Sequence, residues 1–468
     1  MLDLVSAQSR LAAAGQSHVL RFFDRLTKDQ QHSLLAQVET LDLAALPSLI
    51  DSYVKNKPAA SLPPDIAPAP FYRYADGPKF RAAGEALLRA GKVGAFVVAG
   101  GQGSRLGYEG PKGCYPATPV SGKPLFQVFA EQLLAARRKY GAVVPWYVMT
   151  SPLNHAATET FFRRHEFFDL GSENVMFFRQ GVMPSLDIST GRMLMAAPGE
   201  IATNPDGHGG AIRALMVSGA IADMQRRGIE HLSYFQVDNP HVQICDPAFL
   251  GVHASAPDSS AEMSSKMVAK IGPDEKVGVF CRVNGKLDVI EYSDMPKALS
   301  EARNPDGSLK FIAGSIAIHI LSRTFIEKLN NNASFSLPYH RAEKKVACID
   351  IETGAPINPS SNNAVKLERF VFDALPLAKS SIVFETDRVE EFAPIKNATG
   401  ADSVESSKSL QSLRAARWLT AAGANVPAKP DGTPDCVIEL SPLAALDAED
   451  LRPIAPGLRI ERGSKVVL

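Results

Sequence analysis

The sequence is short of everything that marks the specialised classes of protein. Its 468 residues hold five cysteines, Cys114, Cys245, Cys281, Cys348 and Cys436, each alone in the chain. There is no Cys-x-x-Cys pair and no zinc-type cluster, and an odd count does not suit a disulfide framework, so a reducing compartment is expected. Neither sign of charge is in excess: 50 Lys and Arg balance 50 Asp and Glu. This argues against a nucleic-acid binder, whose domains are normally basic, and leaves small anionic ligands open through local charge placement. Long apolar runs are missing as well. Charges interrupt each one in "MLDLVSAQSRLAAAGQSHVLRFFDRL", which reads as neither a signal peptide nor a membrane span. The expectation is a cytoplasmic globular protein, and a hydrophobic share of 45% suits an ordinary folded core.

Against that background the chain has a clear rhythm. From Asp3 to about Val54, apolar residues recur at helical spacing (Leu4, Leu11, Val19, Phe22, Phe23, Leu26, then Leu34, Leu35, Val38, Leu41), predicting a small helical segment. Pro58, Pro63, Pro64, Pro68 and Pro70 end it in a linker or extended wrap. From Lys79 onward helices and strands alternate: "KFRAAGEALLRAG", "VGAFVVA", "PLFQVFAEQLLAARRKYG", "VPWYVMTS", "HAATETFFRRH", one helix over "GGAIRALMVSGAIADMQRRG", and the strand "HLSYFQVDN". The alternation predicts an α/β fold with a Rossmann-like mixed, mostly parallel sheet and helices on both faces. Such sheets bind ligands outside the carboxyl ends of their strands. "KVGVFCRVNGKLDVIEYS" carries an Asn284-Gly285 hairpin signal. The expected division is 1–78 (helical segment and Pro-rich linker), 79–402 (the α/β domain) and 403–468 (a small β-rich lobe).

The chemistry concentrates in "FVVAGGQGSRLGYEGPKGCYP". A buried strand empties into glycines, which let a ligand approach the backbone, and successive N–H groups can form an anion-binding concavity. Arg105 offers a planar fork for phosphate oxygens and Lys112 a compact charge on a flexible stem. The spacing Gly101-x-Gly103-x-x-x-Gly107 is not G-x-G-x-x-G, and Lys112 is followed by Gly113, so neither the dinucleotide fingerprint nor the P-loop pattern is met. A nicotinamide-dependent oxidoreductase and a P-loop kinase are thereby disfavoured. Asp238, at the carboxyl end of "HLSYFQV", is the metal candidate, with Asn239 as a group that could orient it. His208, His319 and His340 match no zinc pattern and receive no catalytic role.

"AGGQGSRLG…PKG" resembles the signature of the nucleotidyltransferases that make nucleotide sugars, specifically the UDP-N-acetylglucosamine pyrophosphorylase type. "MTSPLN", "RQGVMPSLD", "PDGHGGAIRAL", "VDNPHVQICDPAFLG", "AGSIAIH", "LPYHRAEKKV", "KLERFVFDAL", "EEFAPIKNA" and "VIELSPL" follow in the family's order, across about Val97 to Pro442. The resemblance implies a nucleotidyltransferase (GT-A-like) domain over 79–402 that joins UTP to a sugar 1-phosphate with release of pyrophosphate, using Mg²⁺ or Mn²⁺. It implies nucleotide contacts from Ala99, Gly100, Gly101, Gln102 and Gly103, uracil contacts from Gln180 and Gly209, and the metal on Asp238. It places Arg105, Lys112 and Lys366 at the reacting phosphates, Lys396 beside them, and Gly278, Glu291 and Tyr292 at the sugar.

Two departures fall at the sugar. The family's eukaryotic members carry "PDGNGG" and "AGNIANH", where this chain has His208 and Ser315. Ser315 cannot span the pair of groups an amide would, and losing one such contact can shift discrimination by several kcal/mol. N-acetylglucosamine 1-phosphate remains the expected substrate, with UDP-glucose or broad-specificity UDP-sugar pyrophosphorylases, and a non-catalytic UDP-sugar sensor, as alternatives.

Overall fold

Val93–Val98 is buried along almost its whole length, which a strand tolerates only inside a sheet covered on both faces. The computed structural model, describing residues 2–57, 65–332 and 336–468, makes it a central strand of a ten-stranded sheet. In chain order the strands are β1 (Ile66–Pro68), β2 (Val93–Val98), β3 (Trp146–Thr150), β4 (Val175–Arg179), β5 (His231–Gln236), β6 (Met263–Ala269), β7 (Val279–Val283), β8 (Lys286–Ile290), β9 (Ala313–Ser322) and β10 (Ser381–Glu385). The neighbours run β1-β7-β9-β5-β2-β3-β4, with β6 joining β9 to β10 and β8 paired to β7. Pairings β4–β3, β3–β2 and β2–β5 are parallel. β9 then lies antiparallel to β5, with His319 opposite Tyr234. The carboxyl ends of β2, β3 and β5 therefore share one edge, and the glycine loop, "SPLN" and Asp238 all leave the sheet there.

The chain forms two compact units: Pro63–Arg179, Ile212–Phe335 and Phe372–Leu468 make one, and Met1–Leu62, Gln180–Ala211 and Ser336–Val371 the other. The first holds the sheet, whose core includes Val97, Phe126, Phe129, Trp146, Val148 and Phe235. It also holds the C-terminal lobe: an eighteen-residue helix, Val404–Ala421, capped by Ser403, and two parallel three-residue strands, Val437–Glu439 and Lys465–Val467. In the second unit the N-terminal helices Leu4–Ala13 and Lys28–Thr40 share a core with Leu186, Met195, Ile201, Val365 and Leu367. Of the linker prolines, Pro58, Pro63 and Pro64 lie outside the described residues. Pro68 ends β1, the edge strand opposite Cys281, where its missing N–H costs no ladder bond. The single helix expected before β5 is two, Ala211–Val217 and Ala220–Arg227, because Gly219 adopts a φ of +83°. No helix among the described residues is long and apolar enough to cross a membrane.

Candidate active site

The glycine loop is folded back on itself. Ala99 donates its N–H to Met149 O, 2.7 Å, and still belongs to the sheet. Beyond it, Gly103 N–H meets Gly110 O at 2.9 Å and Lys112 N–H meets Gly101 O at 3.1 Å. The N–H groups of Gly100, Gly101 and Gln102 donate to no acceptor among the described residues. The glycines serve different ends. A Cβ on Gly113 would sit 2.2 Å from the Phe126 ring, so packing demands that glycine, whereas a Cβ on Gly101 would meet nothing within 4 Å. Arg105 is exposed and pairs with no described residue. The Lys112 ammonium lies 3.9 Å from the Asp238 carboxylate, both largely buried.

Asp238 is held by its backbone, its C=O accepting Ile395 N–H at 2.8 Å. That bond brings the segment 391–396 alongside and delivers Lys396, whose ammonium rests 3.1 Å from Asp402. Asn239 does not orient Asp238 as expected. Its Nδ2 donates to Glu391 O at 2.7 Å and its Oδ1 accepts Ala393 N–H at 3.1 Å, so the amide is spent on fixing that segment. No group of three His, Cys, Asp or Glu among the described residues could hold a metal. A single carboxylate is compatible with Mg²⁺, which takes one or two carboxylates and fills its shell with phosphate oxygens and water.

The residues expected at the sugar lie on or beside β7, β8 and β9. Ser315 N–H donates to Gly278 O at 2.7 Å. A Cβ on Gly278 would stand 2.8 Å from Val289 Cγ1 and 3.1 Å from Glu291 Oε1, so glycine is required for the close approach of the two. β9 bulges here: Ser265 pairs His319 but Met267 pairs Ser315, and Ala317 takes a φ of +55°. Bulges of this kind re-aim side chains beside binding sites. Since His319 faces Tyr234, the chain from Ser315 to Ile318 runs beside the segment leading to Asp238. Tyr292 is half exposed.

In the second unit Gln180 donates Nε2 to Gly207 O at 2.7 Å, which leaves its Oε1 as the acceptor on offer. Gly209 N–H is committed to Arg369 O at 2.8 Å. His208 Nδ1 accepts Val371 N–H at 3.0 Å, and its ring stacks on Phe370, which stacks in turn on His340. Burial, assisted by His340, pushes the His208 imidazole down to about 4, so it is neutral at pH 7 with its proton on Nε2. Lys366 sits half-buried in the strand Ala364–Glu368. His319 hydrogen-bonds buried Ser265 at 2.7 Å, in keeping with a structural role.

Two supporting residues escaped the sequence reading. Asn154, fully buried, donates Nδ2 to Ala99 O at 2.9 Å and Gly101 O at 3.2 Å. Glu439, in "VIELSPL", accepts Val120 N–H at 2.9 Å and Ser121 N–H at 2.7 Å, so the C-terminal lobe clamps the loop that follows Lys112. Neither partner set is visible from spacing, because it is backbone far away in the chain.

The α/β sheet that sets the Gly-rich loop and Lys112 against Asp238 at the carboxyl ends of β2 and β5 is that of a nucleotidyltransferase. The chain belongs to the UTP–glucose-1-phosphate uridylyltransferase family (UDPGP), matched over residues 74–422. It is 35% identical to UDP-N-acetylglucosamine diphosphorylase 2 of Arabidopsis thaliana, over 96% of this chain and 91% of that one. It is also 35% identical to UDP-N-acetylglucosamine pyrophosphorylase of Saccharomyces cerevisiae, over 88% and 90%. The uridine diphosphate N-acetylglucosamine pyrophosphorylase of Trypanosoma brucei superposes with a TM-score of 0.83 at 25% identity, covering 99% of both chains.

Proposed function

We propose that this protein is a UTP:sugar-1-phosphate uridylyltransferase that forms a UDP-sugar and pyrophosphate, with N-acetylglucosamine 1-phosphate as acceptor. The observation that carries the reading is the pairing of Lys112 with Asp238 beside a loop in which the N–H groups of Gly100, Gly101 and Gln102 donate to no acceptor among the described residues. In the reaction a sugar-phosphate oxygen attacks the α-phosphorus of UTP and the bond to the β-phosphate oxygen breaks. No protein base is needed, because a phosphate monoester, with its second pKa near about 6, is already mostly dianionic. The protein's task is to hold two anions in line and stabilise the charge that moves to pyrophosphate. Arg105 and Lys112 take the leaving pyrophosphate, with Lys366 and Lys396 as further phosphate contacts, and Lys396 must first leave Asp402. Asp238, with the phosphates, would hold Mg²⁺ or Mn²⁺, which would supply the remaining positive charge. Ala99 to Gly103 receive the nucleotide. Gln180, with Oε1 presented, suits an imide N–H of uracil, and Gly209 completes the base contacts. Gly278, Glu291, Tyr292 and Ser315 bind the sugar, Glu291 accepting from its hydroxyls, and the family resemblance gives neutral His208 a substrate contact in its own unit.

Ser315 favours a second reading, in which other hexose 1-phosphates are accepted, since one hydroxyl cannot meet both groups that an amide reaches. Residues 1–78, 79–402 and 403–468 stand as the proposed segment, catalytic domain and lobe, and a reducing, cytoplasmic setting is supported by five free thiols. Pyrophosphate release is measured with UTP, Mg²⁺ and the 1-phosphates of N-acetylglucosamine, glucose and galactose in turn. Fastest release is expected with the first, and a loss of about 10²–10³ in kcat for Lys112→Ala. Release from no sugar by a folded protein that binds UTP would replace the enzyme by a sensor.

A further inference from the structure

We propose that Asn154 is a positioning residue that aims the glycine loop at the nucleotide. The inference rests on the uridylyltransferase reading. Asn154 stands at the N-cap of the helix His155–Arg164, yet its side chain makes no cap bond. Asparagine at that place ordinarily accepts from the N2 or N3 amide; here the side chain turns away. Its Oδ1 accepts Ser151 N–H at 2.8 Å and the Ser151 hydroxyl at 3.1 Å. Its Nδ2 reaches the carbonyls of Ala99 and Gly101. Only one orientation of the amide satisfies this set, since carbonyls accept only and Ser151 N–H donates only.

The consequence follows from peptide geometry. In a trans peptide the C=O of one residue and the N–H of the next point in opposite directions. Holding the carbonyls of Ala99 and Gly101 down against Asn154 therefore turns the N–H groups of Gly100 and Gln102 up, away from the protein. Those groups have no acceptor among the described residues, and N–H groups turned the same way are what an anionic or carbonyl-rich ligand requires. Gly101 O is also the acceptor for Lys112 N–H, so one carbonyl joins Asn154 to the stretch that carries the catalytic lysine. Asn154 touches no substrate atom; it decides which way the loop's dipoles face.

The test uses Asn154→Ala and Asn154→Asp, the second of which sets a carboxylate against two carbonyl oxygens. The Kd of UTP should rise at least tenfold in the first and further in the second, while the KM for the sugar 1-phosphate stays within twofold. Asn154→Ala takes a partner from Ser151 N–H and from the carbonyls of Ala99 and Gly101, so its thermal midpoint should fall too, and it is the selectivity for UTP over the sugar 1-phosphate that separates aiming the loop from general destabilisation. Amide exchange at Gly103 and Lys112, whose N–H groups are bonded within the loop, should quicken in both variants when followed without nucleotide. A UTP Kd within twofold of wild type, or a rise shared equally by both substrates, would overturn the proposal. If Asn154→Asp does not fold, Asn154→Ser replaces it: one donor in place of two, with a rise short of that in the alanine variant. Failure of the wild type to bind UTP would overturn the uridylyltransferase reading instead; unchanged exchange at Gly103 and Lys112 would then still overturn the positioning role of Asn154.

Discussion

Asp206 is a carboxylic acid that folding makes weaker. It lies in "PDGHGG", buried, with Oδ1 unpartnered among the described residues. Burial pushes it up to about 6, against the opposing pull of Arg369 and the Gln180 amide, while Glu368 adds to the rise. A carboxyl raised on folding carries no penalty below its unfolded value near 4, and its full penalty once pH exceeds the folded value. Stability from this group is therefore lost as pH climbs from about 4 to 6, by on the order of 3 kcal/mol. Urea unfolding of Asp206→Asn should show that loss removed: the gap between variant and wild type changes across this window and is flat above it. A gap independent of pH would count against the raised value. At this scale, much of the candidate site was legible. Arg105, Lys112, Asp238, Gly278 and Glu291 sit in blocks whose residue types carry chemistry, and the structure brings them to one sheet edge. Asn154 and the true work of Asn239 were not legible, because an amide that binds backbone announces nothing about which backbone.

Among the elements, the loop 117–123 depends on a partner in the C-terminal lobe. Burial works to raise Glu439, but hydrogen bonds from Ser121 and Val120 win and hold it below the usual carboxylate range. Its contribution is present above the unfolded carboxylate value and is lost as pH falls through the lowered one. Glu439→Gln turns an NH₂ toward donors that need an acceptor, and a loss of roughly 1–3 kcal/mol is expected, read as a fall in thermal midpoint. An unchanged midpoint would remove the clamp from the account. Strands and the longer helices were legible from apolar period. The turn Glu166–Asp169 was not, since all four residues take a positive φ without a glycine. Phe167 and Phe168 pack there on Phe162, so tertiary packing overrides a local preference worth about 1–2 kcal/mol per residue.

Across the molecule, one buried charge holds several parts together. Lys266 on β6 has no solvent exposure and contacts both Asp246, at 2.6 Å, and Glu391. Burial alone would lower it, yet the two carboxylates hold it up and charged. Glu391 also accepts Thr386 Oγ1 and Gln243 N–H, and its segment bears on Asp238 through Ile395. Lys266→Met would strand two buried carboxylates, and a loss of about 3–5 kcal/mol is expected; a calorimetric loss under about 1 kcal/mol would show that the carboxylates find other partners. The α/β class was legible because helix and strand periods alternate. The sharing of a core between N-terminal helices and two later segments was not, since hydrophobic period says that a face is buried and never against what. The Glu439 clamp has a further consequence, in time. Val120 and Glu439 are 319 residues apart, and at roughly 5–20 residues per second the ribosome makes the second some 15–60 s after the first. During synthesis the loop beside the glycine cradle must wait that long for the carboxylate that secures it, and since the last sheet strand ends at Glu385, a nascent chain can complete its sheet roughly 3–11 s before it can hold its ligand.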